Sequence, residues 1–501
     1  MASPEADVAD DAPDAYVDLL DHTTTLTYLN DGAGIVYWDL QVMMPDGGMP
    51  ARSKQLSALS SVAHDLQTDA AVGEDLDELT DADLTDEQAA VVREIRRGYE
   101  RAVDVPGDLV EELSETQANA QQTWQRAKAD SDFDAFAPTL ERLRDLHRER
   151  GEHVDGDQSP YVTMYEDGAP YLPLDTVEDI FDTLREELVP LIAEIREQGD
   201  DLPAPFDGEY PDEDQMALCQ AALDFLGYDR SRGRLDTAPH PFMSGTQFDA
   251  RVTTRFENDP IDALMSTTHE YGHASYQLGL RQDEYGTPLG QSRSSGVHES
   301  QSRFWENHVG RTKPFWEAFA PTVNEHLGTD VDAETMYQAA NRIYPENLIR
   351  VEADELTYHF HIILRSEIDR AFVEGDVGVE EIPGLWNEKM DEYLGVTPPD
   401  DARGCLQDIH WSSGFASFQN YTVGSVLAAQ LNAAIREDLD VDALVREGEF
   451  DPIREWMGER VHDPGCRYET PELIERATGE PLTADYFVEY AREKFGELYG
   501  L

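Results

Sequence analysis

Two histidines and a glutamate stand close together in the segment STTHEYGHASYQ, residues 266–277. The apolar residues around them predict a helix, on which four residues advance about 400°, so His269 and His273 project from one face, one turn apart. Two imidazoles at that spacing can hold one divalent cation. Glu270 lies about 100° around the helix from His269 and is placed to accept a proton from metal-bound water. The pattern predicts metal-assisted hydrolysis, although a core helix that happens to contain histidine would read the same way.

A metal site in a hydrolase usually adds a third protein ligand to two histidines and leaves one position for water. Metzincins use a glycine and then a third histidine at fixed distances, but Tyr276 and Gly279 occupy those two places here. The other common solution is a carboxylate from a following helix, and Glu299 is the predicted third ligand. Glu306 is the second choice, and Arg303 between them could orient Glu299 or a substrate.

The chain carries 104 acidic and 38 basic residues, a formal net charge of −66. Aromatic residues make up 9% of the chain and are spread along it, which indicates a folded protein rather than a disordered acidic one. Such charge repels itself unless it is screened, and in molar salt the Debye length shrinks to about 3 Å. We therefore expect a salt-rich cytoplasm, as in a halophile. The charge argues against nucleic acid as a partner and gives no support to binding on anionic membranes.

The cysteines Cys219, Cys405 and Cys466 lie far apart and form no CxxC pair, which favours free buried thiols in a reducing compartment. The N-terminus lacks the basic and apolar regions of a secretory signal peptide. No apolar run is long enough to span a membrane. These features predict a cytoplasmic protein.

The rest of the chain predicts mostly helix around this motif. Residues 1–15 indicate an acidic tail, and residues 16–501 indicate a single helical catalytic body. Apolar residues recur at three- and four-residue spacing in many segments, among them 109–127, 133–146, 180–192, 356–368 and 423–435. Residues 245–260 alternate instead and carry β-branched side chains, which predicts a strand or hairpin just before the HExxH segment. The expected fold is all-α, with a small hairpin or sheet near the active site.

Five short segments occur together in this chain: HEYGH, HESQSRFWEN, DARVT (249–253), IRVEAD (349–354) and GCLQDIHW (404–411). As a set they resemble the carboxypeptidase Taq family of metallocarboxypeptidases. YWDLQVMMPDGG (37–48) and SRGRLD (231–236) are similar to segments of the same family, and the likeness runs from Tyr16 to the end of the chain. The segment GFASFQNY, which follows Ser413, departs from the family's usual aromatic-proline run.

The resemblance implies an all-helical body with a deep substrate groove, one zinc or cobalt ion on two histidines and a glutamate, and a homodimer. It also implies release of single residues from peptide C-termini, with broad specificity that stops at proline. A metalloendopeptidase or oligopeptidase with the same metal core is the alternative, because HExxH with a distant glutamate does not decide where a peptide is cut. A helical acidic binding protein with a vestigial site is disfavoured by the intact Glu270.

The oxyanion that forms during peptide hydrolysis needs a hydrogen-bond donor besides the cation. His410 and Tyr421 are the candidates, because their segments resemble the family's site segments. A buried structural histidine and a core tyrosine are the alternatives for these two residues.

An exopeptidase must also bind a free carboxylate, and the planar fork of arginine suits that task. Arg350 and Arg251 are the candidates, since both lie inside motif segments. Arg350 could instead pair with Asp354, four residues further along a helix, and Arg251 could pair with a nearby acid on its strand. Asp354, Glu352 and Asp408 could accept hydrogen bonds from the ligand imidazoles.

Overall fold

The computed structural model describes residues 12–256, 259–344 and 346–501. The helices are α1 (Asp14–Val42), α2 (Met49–Gln67), α3 (Ala70–Glu78), α4 (Asp86–Val103), α5 (Gly107–Asp130), α6 (Phe133–Val154), α7 (Pro160–Gly168), α8 (Leu174–Gln198), α9 (Asp212–Leu226), α10 (Pro260–Gly279), α11 (Ser295–Arg303), α12 (Lys313–Leu327), α13 (Ala333–Ala340), α14 (Tyr358–Glu374), α15 (Ile382–Leu394), α16 (Gln419–Asp438), α17 (Val441–Glu447), α18 (Asp451–Met457), α19 (Thr470–Thr478) and α20 (Asp485–Tyr499). Two π-helical segments, Phe304–Gly310 and Gly458–His462, continue α11 and α18.

The predicted all-α fold is confirmed: the chain forms one helical body with a small sheet. The periodic segments lie in helices whose apolar faces are buried, as Phe136 and Leu140 are on α6 and Leu184 and Leu188 are on α8. Burial of such faces is the main source of helix stability in a large protein. Each helix described is too short or too polar to cross a bilayer.

The sheet has three strands in the order β1-β3-β2, namely β1 (Leu235–Thr237), β2 (Met243–Thr246) and β3 (Asp249–Thr254). β2 pairs antiparallel with β3, which confirms the hairpin expected before the HExxH segment, and β1 adds a parallel strand that the sequence analysis did not predict. Gly245 has φ of +142°, and a Cβ there would lie 1.8 Å from the carbonyl oxygen of Asp249. The hairpin therefore requires glycine at this position.

Helix α11 is pressed between α10 and α16. A Cβ on Gly272 of α10 would lie 2.5 Å from the Cα of Ser302, and a Cβ on Gly424 of α16 would lie 2.3 Å from the Cγ of Glu299. Real Cβ atoms do not approach neighbours so closely, so both glycines permit backbone contact that any other residue would prevent. This packing brings the predicted third ligand up to the histidines of α10.

The predicted acidic tail, residues 1–15, lies mostly outside the described residues. Residues 1–11 lie outside the described residues, and α1 begins at Asp14, with Ala15 and Tyr16 buried. The cysteines Cys219, Cys405 and Cys466 are buried and free.

Candidate active site

His269 and His273 on α10 and Glu299 on α11 converge on one point. Their ligand atoms all lie within 4.8 Å of one another. The Oε2 atom of Glu299 is 3.7 Å from Nε2 of His269 and 3.5 Å from Nε2 of His273. Two imidazole nitrogens and one carboxylate oxygen are a common donor set for zinc in hydrolases. The residues therefore fit one divalent cation, as the spacing of the sequence predicted.

The second nitrogen of each imidazole is held by a neighbouring acceptor. Nδ1 of His269 lies 2.9 Å from Oε2 of Glu306, and Nδ1 of His273 lies 3.1 Å from the backbone oxygen of His298. Each Nδ1–H donates to its acceptor, so Nε2 is the nitrogen of each ring that faces Glu299, and it binds a cation once it carries no proton. Both rings are thus fixed in the tautomer that can bind a cation.

Asp354 and Asp408, two of the acids predicted to orient the imidazoles, contact other groups. Asp354 accepts hydrogen bonds from the backbone of Tyr344 and Thr357, at 2.8 and 2.9 Å. Asp408 pairs with Arg350 and Arg365. The expectation that Asp354, Glu352 or Asp408 would orient the imidazoles is wrong, because Nδ1 of His269 contacts Glu306 and Nδ1 of His273 contacts the backbone oxygen of His298 instead.

Glu299 is buried and ionised. Its Oε1 accepts a hydrogen bond from Nε of Arg303 at 2.7 Å, as the sequence analysis suggested for this arginine. Burial would raise the pKa of Glu299, but the guanidinium of Arg303 and the two imidazoles hold that pKa well below its usual range. The carboxylate is available to a cation at neutral pH.

Glu270 is 6% exposed, and its Oε2 has no hydrogen-bond partner among the described residues. Burial raises the pKa of this carboxyl, and the neighbouring His269 and His273 oppose that rise. A buried polar atom without a partner is costly, so such atoms mark sites where a ligand or water completes the contact. The side chain has the position and the free oxygen that a general base needs.

Two cavities meet at the three candidate ligands. The large cavity, about 670 Å³, reaches His273, and the small cavity, about 210 Å³, reaches His269 and Glu270. Glu299 and Tyr421 line both cavities and so form part of the wall between them. The large cavity is otherwise lined by groups that include His147, Ser294, Ser295, His298 and Asn420. The small cavity is lined by charged groups that include Arg255, Arg303, Arg311, Arg350 and Glu352.

Arg350 lies at the small cavity and is 5% exposed. Its Nε and Nη2 bind the two oxygens of Asp408 at 2.8 and 2.9 Å, and its Nη1 donates to the hydroxyl of Tyr358 at 3.2 Å. The suggested helical pairing with Asp354 is not formed, because Arg350 lies in the short 3₁₀ turn Arg350–Glu352. Asp408 fixes the guanidinium rigidly at the cavity wall.

Arg251 lies elsewhere. On β3 its Nη2 is 2.5 Å from Oδ2 of Asp249, the nearby acid that the sequence analysis considered, and its guanidinium sits over the ring of Trp38. Among the described residues that line the two cavities, Arg251 does not occur.

His410 and Tyr421 are in contact, but their positions differ. Nε2 of His410 is 3.3 Å from the Tyr421 hydroxyl, and Nδ1 of His410 is 3.2 Å from Oδ1 of Asp408. Tyr421 lines both cavities, whereas His410 is not among the described lining residues of either one. Burial raises the pKa of Tyr421, so its hydroxyl keeps its proton and can donate.

Two further residues, which the sequence motifs did not indicate, lie around the site. Tyr358 bridges the charged groups, because its ring lies 4.6 Å below the guanidinium of Arg303 and its hydroxyl accepts from Arg350. His147, on α6, reaches the large cavity from a distant part of the chain. The sequence carries no signal for His147, since only helix packing brings α6 to this place.

Comparison with known proteins agrees with this geometry. The family model described as "Carboxypeptidase Taq (M32) metallopeptidase" matches residues 18–495. Thermostable carboxypeptidase 1 of Thermus thermophilus is 37% identical over 97% of this chain and 99% of its own, and carboxypeptidase 1 of Bacillus subtilis is 35% identical over 95% and 96%. The crystal structure of the M32 carboxypeptidase from Deinococcus radiodurans matches with a TM-score of 0.93 at 36% identity, covering 98% of this chain and 100% of that one. The family match over nearly the whole chain, with relatives of this identity and coverage, means that the chain belongs to the carboxypeptidase Taq (M32) family of metallopeptidases.

Proposed function

We propose that this protein releases single amino acids from the C-termini of peptides, with one divalent cation held by His269, His273 and Glu299. These three side chains converge beside Glu270, whose Oε2 has no hydrogen-bond partner among the described residues, and this is the observation that carries the proposal. The cation, zinc or cobalt, supplies Lewis-acid activation of water and of the scissile carbonyl when it is bound.

The chain's own groups then move the protons. Glu270 accepts a proton from the attacking water and later passes it to the nitrogen of the leaving amino acid. The Tyr421 hydroxyl donates a hydrogen bond to the developing oxyanion, since it lies on the wall between the two cavities. His410 acts through Tyr421, whose hydroxyl it contacts.

The two cavities support a direction for the substrate. The small cavity, with Arg350 fixed by Asp408, suits the terminal residue and its carboxylate, because the guanidinium keeps one N–H on Nη1 and one on Nη2 beyond those given to Asp408 and Tyr358. The peptide then extends through the large cavity. An endopeptidase would need to continue the chain through both cavities, and the charged lining of the small one disfavours that reading.

Broad specificity that stops at C-terminal proline is part of the proposal. Removal of a terminal proline would require cleavage of an X–Pro bond, whose nitrogen carries no N–H and is enclosed in a ring. Every other residue presents the same backbone groups to the site.

Peptide ladders followed by mass spectrometry test the proposal, with zinc or cobalt added to the metal-free protein in molar salt. Stepwise loss from the C-terminus is expected, together with no cleavage of the same peptide when its C-terminus is amidated. Internal fragments from both peptides would favour the metalloendopeptidase alternative. Absence of cleavage with either metal would favour a binding protein with a vestigial site.

We also propose that the enzyme is a homodimer in a salt-rich cytoplasm. The net charge of −66 supports the salt requirement, because two such chains approach each other only when salt screens their charge. Sedimentation equilibrium across a potassium chloride series tests both points. A dimer that persists in molar salt and dissociates in dilute buffer is the expected result, and a monomer at every salt concentration would contradict it.

A further inference from the structure

The π-helical segment Phe304–Gly310 follows α11 directly, and all seven of its residues are buried. The backbone N–H of Arg311 donates to the carbonyl of Glu306 at 2.8 Å, a bond across five residues that defines the wider π turn. Segments of this kind are rare and occur often at functional sites. Here the wider turn carries the side chain of Glu306 to α10.

Each carboxylate oxygen of Glu306 has its own partners. Oε2 accepts from Nδ1 of His269 at 2.9 Å and from Nη1 of Arg303 at 3.2 Å. Oε1 accepts from Nη2 and Nε of Arg311 at 3.0 and 3.2 Å. Glu306 is 8% exposed, so a carboxylate there requires such partners. Arg311 thus fixes one oxygen of Glu306, and the other oxygen can orient the imidazole of His269.

Arg311 is itself anchored by a neighbouring helix. Its Nη1 donates to the carbonyl of Ala340 at the end of α13, and its own carbonyl accepts from Nδ2 of Asn341 at 3.0 Å. The guanidinium is thus positioned by a different helix from those that carry the candidate ligands. Helix α13 thereby sets where Glu306 can point.

Arg303 joins this arrangement to the third ligand. Its Nε binds Oε1 of Glu299, while its Nη1 binds Oε2 of Glu306. The guanidinium of Arg303 therefore sets the distance between Glu299, a candidate ligand, and Glu306, the carboxylate that contacts His269.

We propose that Glu306, held by Arg311, is a positioning residue that fixes His269 in its metal-binding tautomer. This inference rests on the proposed metal site and deepens it. Glu306 is not a ligand in this arrangement, since it contacts the nitrogen of His269 that faces away from Glu299. The ionised carboxylate also makes the imidazole a stronger donor to a cation.

The test is the zinc affinity of Glu306→Gln, measured by competition with a chromophoric chelator. We expect the dissociation constant for zinc to rise by about 10- to 100-fold. The thermal midpoint of the metal-free variant should stay close to that of the metal-free parent, because glutamine keeps the shape of the side chain. A purely structural role would lower the midpoint and leave the affinity of the folded fraction unchanged.

Glu94→Gln is the matched control. Glu94 lies far along the chain from the candidate ligands, its side chain is 11% exposed, and it pairs with Arg293 at 2.7 Å. Its loss should leave zinc affinity as it is. Should Glu306→Gln fail to fold, Arg311→Lys tests the same link, because one point charge cannot reproduce the fork on Oε1.

The outcomes distinguish the positioning role of Glu306 from the metal site itself. Weaker zinc binding in Glu306→Gln and Arg311→Lys, but not in Glu94→Gln, would support the positioning role. Equal affinity in the parent and in both variants would overturn it and leave the metal site intact. A parent protein that binds no zinc would overturn the proposed metal site itself.

Discussion

The two cavities that meet at Glu299 and Tyr421 differ in size and in chemistry. The large one, about 670 Å³, presents mostly neutral hydroxyl, amide and imidazole groups such as Ser294, Asn420 and His147, with the carboxylate of Asp167 among them. The small one, about 210 Å³, presents fixed charges such as Arg350. A peptide chain needs room and neutral hydrogen-bonding groups, whereas a terminal carboxylate needs one rigid cation. The difference supports a site with a direction, in which chemistry takes place where the two environments meet.

Two arginines with equivalent positions in the sequence motifs also differ in whether they line the small cavity. Arg350 and Arg251 each lie in a motif segment and each pair with an aspartate. Only the first lines the small cavity among the residues described there. Motif membership is therefore not sufficient to assign a substrate contact.

The largest effect should come from Glu270→Gln, which removes the base from the edge of the small cavity. We expect turnover to fall by about 10³-fold with zinc still bound, because glutamine cannot accept the proton of water. Steady-state kinetics and metal analysis of the same sample check this. Glu94→Gln, a carboxylate that is not among the described residues lining either cavity, is the control and should stay near the parent rate. Full activity in Glu270→Gln would falsify the proton-transfer role.

Arg350→Met should lower kcat/KM on peptides with a free C-terminus by on the order of 100-fold, since a charge-assisted contact to the carboxylate is lost. Arg251→Met is the matched variant and should change kcat/KM little. Parallel kinetics on one peptide in free and amidated form give the comparison. If Arg251→Met were the more damaging change, the assignment of the small cavity to the terminal carboxylate would be wrong.

A substitution on α16 can displace Glu299, which forms part of the wall between the cavities. In Gly424→Ala the new methyl group would meet the Cγ of Glu299 at 2.3 Å, so Glu299 must shift. Overpacking of this kind costs about 1–3 kcal/mol, and we expect zinc binding to weaken by about 10-fold. Gly496→Ala on α20, where a Cβ meets nothing within 4 Å, serves as the control. Chelator competition measures the zinc affinity of both variants. Equal affinity in Gly424→Ala and Gly496→Ala would mean that α11 adjusts without moving the carboxylate of Glu299.

The smallest effect concerns His147 in the large cavity. Burial and the nearby Arg150 lower the pKa of His147 to about 4, against the opposing influence of the Ser413 backbone and Asp167. The unfolded chain then binds a proton below pH 6.5 that the folded protein does not bind, so folding stability falls as pH drops from 6.5 towards 4.

Between pH 7.5 and 5.5, His147→Gln should therefore lose about 1 kcal/mol less free energy of unfolding than the parent. Urea denaturation at the two pH values measures this difference. His153→Gln, an exposed position on the same helix, is the control. If the free energy of unfolding depended on pH identically in all three proteins, folding would not require His147 to be neutral.

Much of the fold followed from local pattern. Periodic apolar residues predicted the helices, because a helix of a large protein is stable when one face is buried. β1 was missed, since three residues carry too little periodicity to detect and gain their stability from pairing with β3. The hairpin was found because alternation and β-branching extend over more residues.

The sequence by itself determined the residue types and their local spacing: two imidazoles one turn apart, a carboxylate beside the first, and an acid on the next helix. Helix geometry is regular, so spacing within one element predicts which side chains share a face. The tertiary structure alone decided that Glu306 orients His269, that Asp408 holds Arg350, and that His147 reaches the large cavity. These contacts depend on how separate helices pack and on where a π turn interrupts one of them, and packing between distant segments leaves no periodic trace in the sequence.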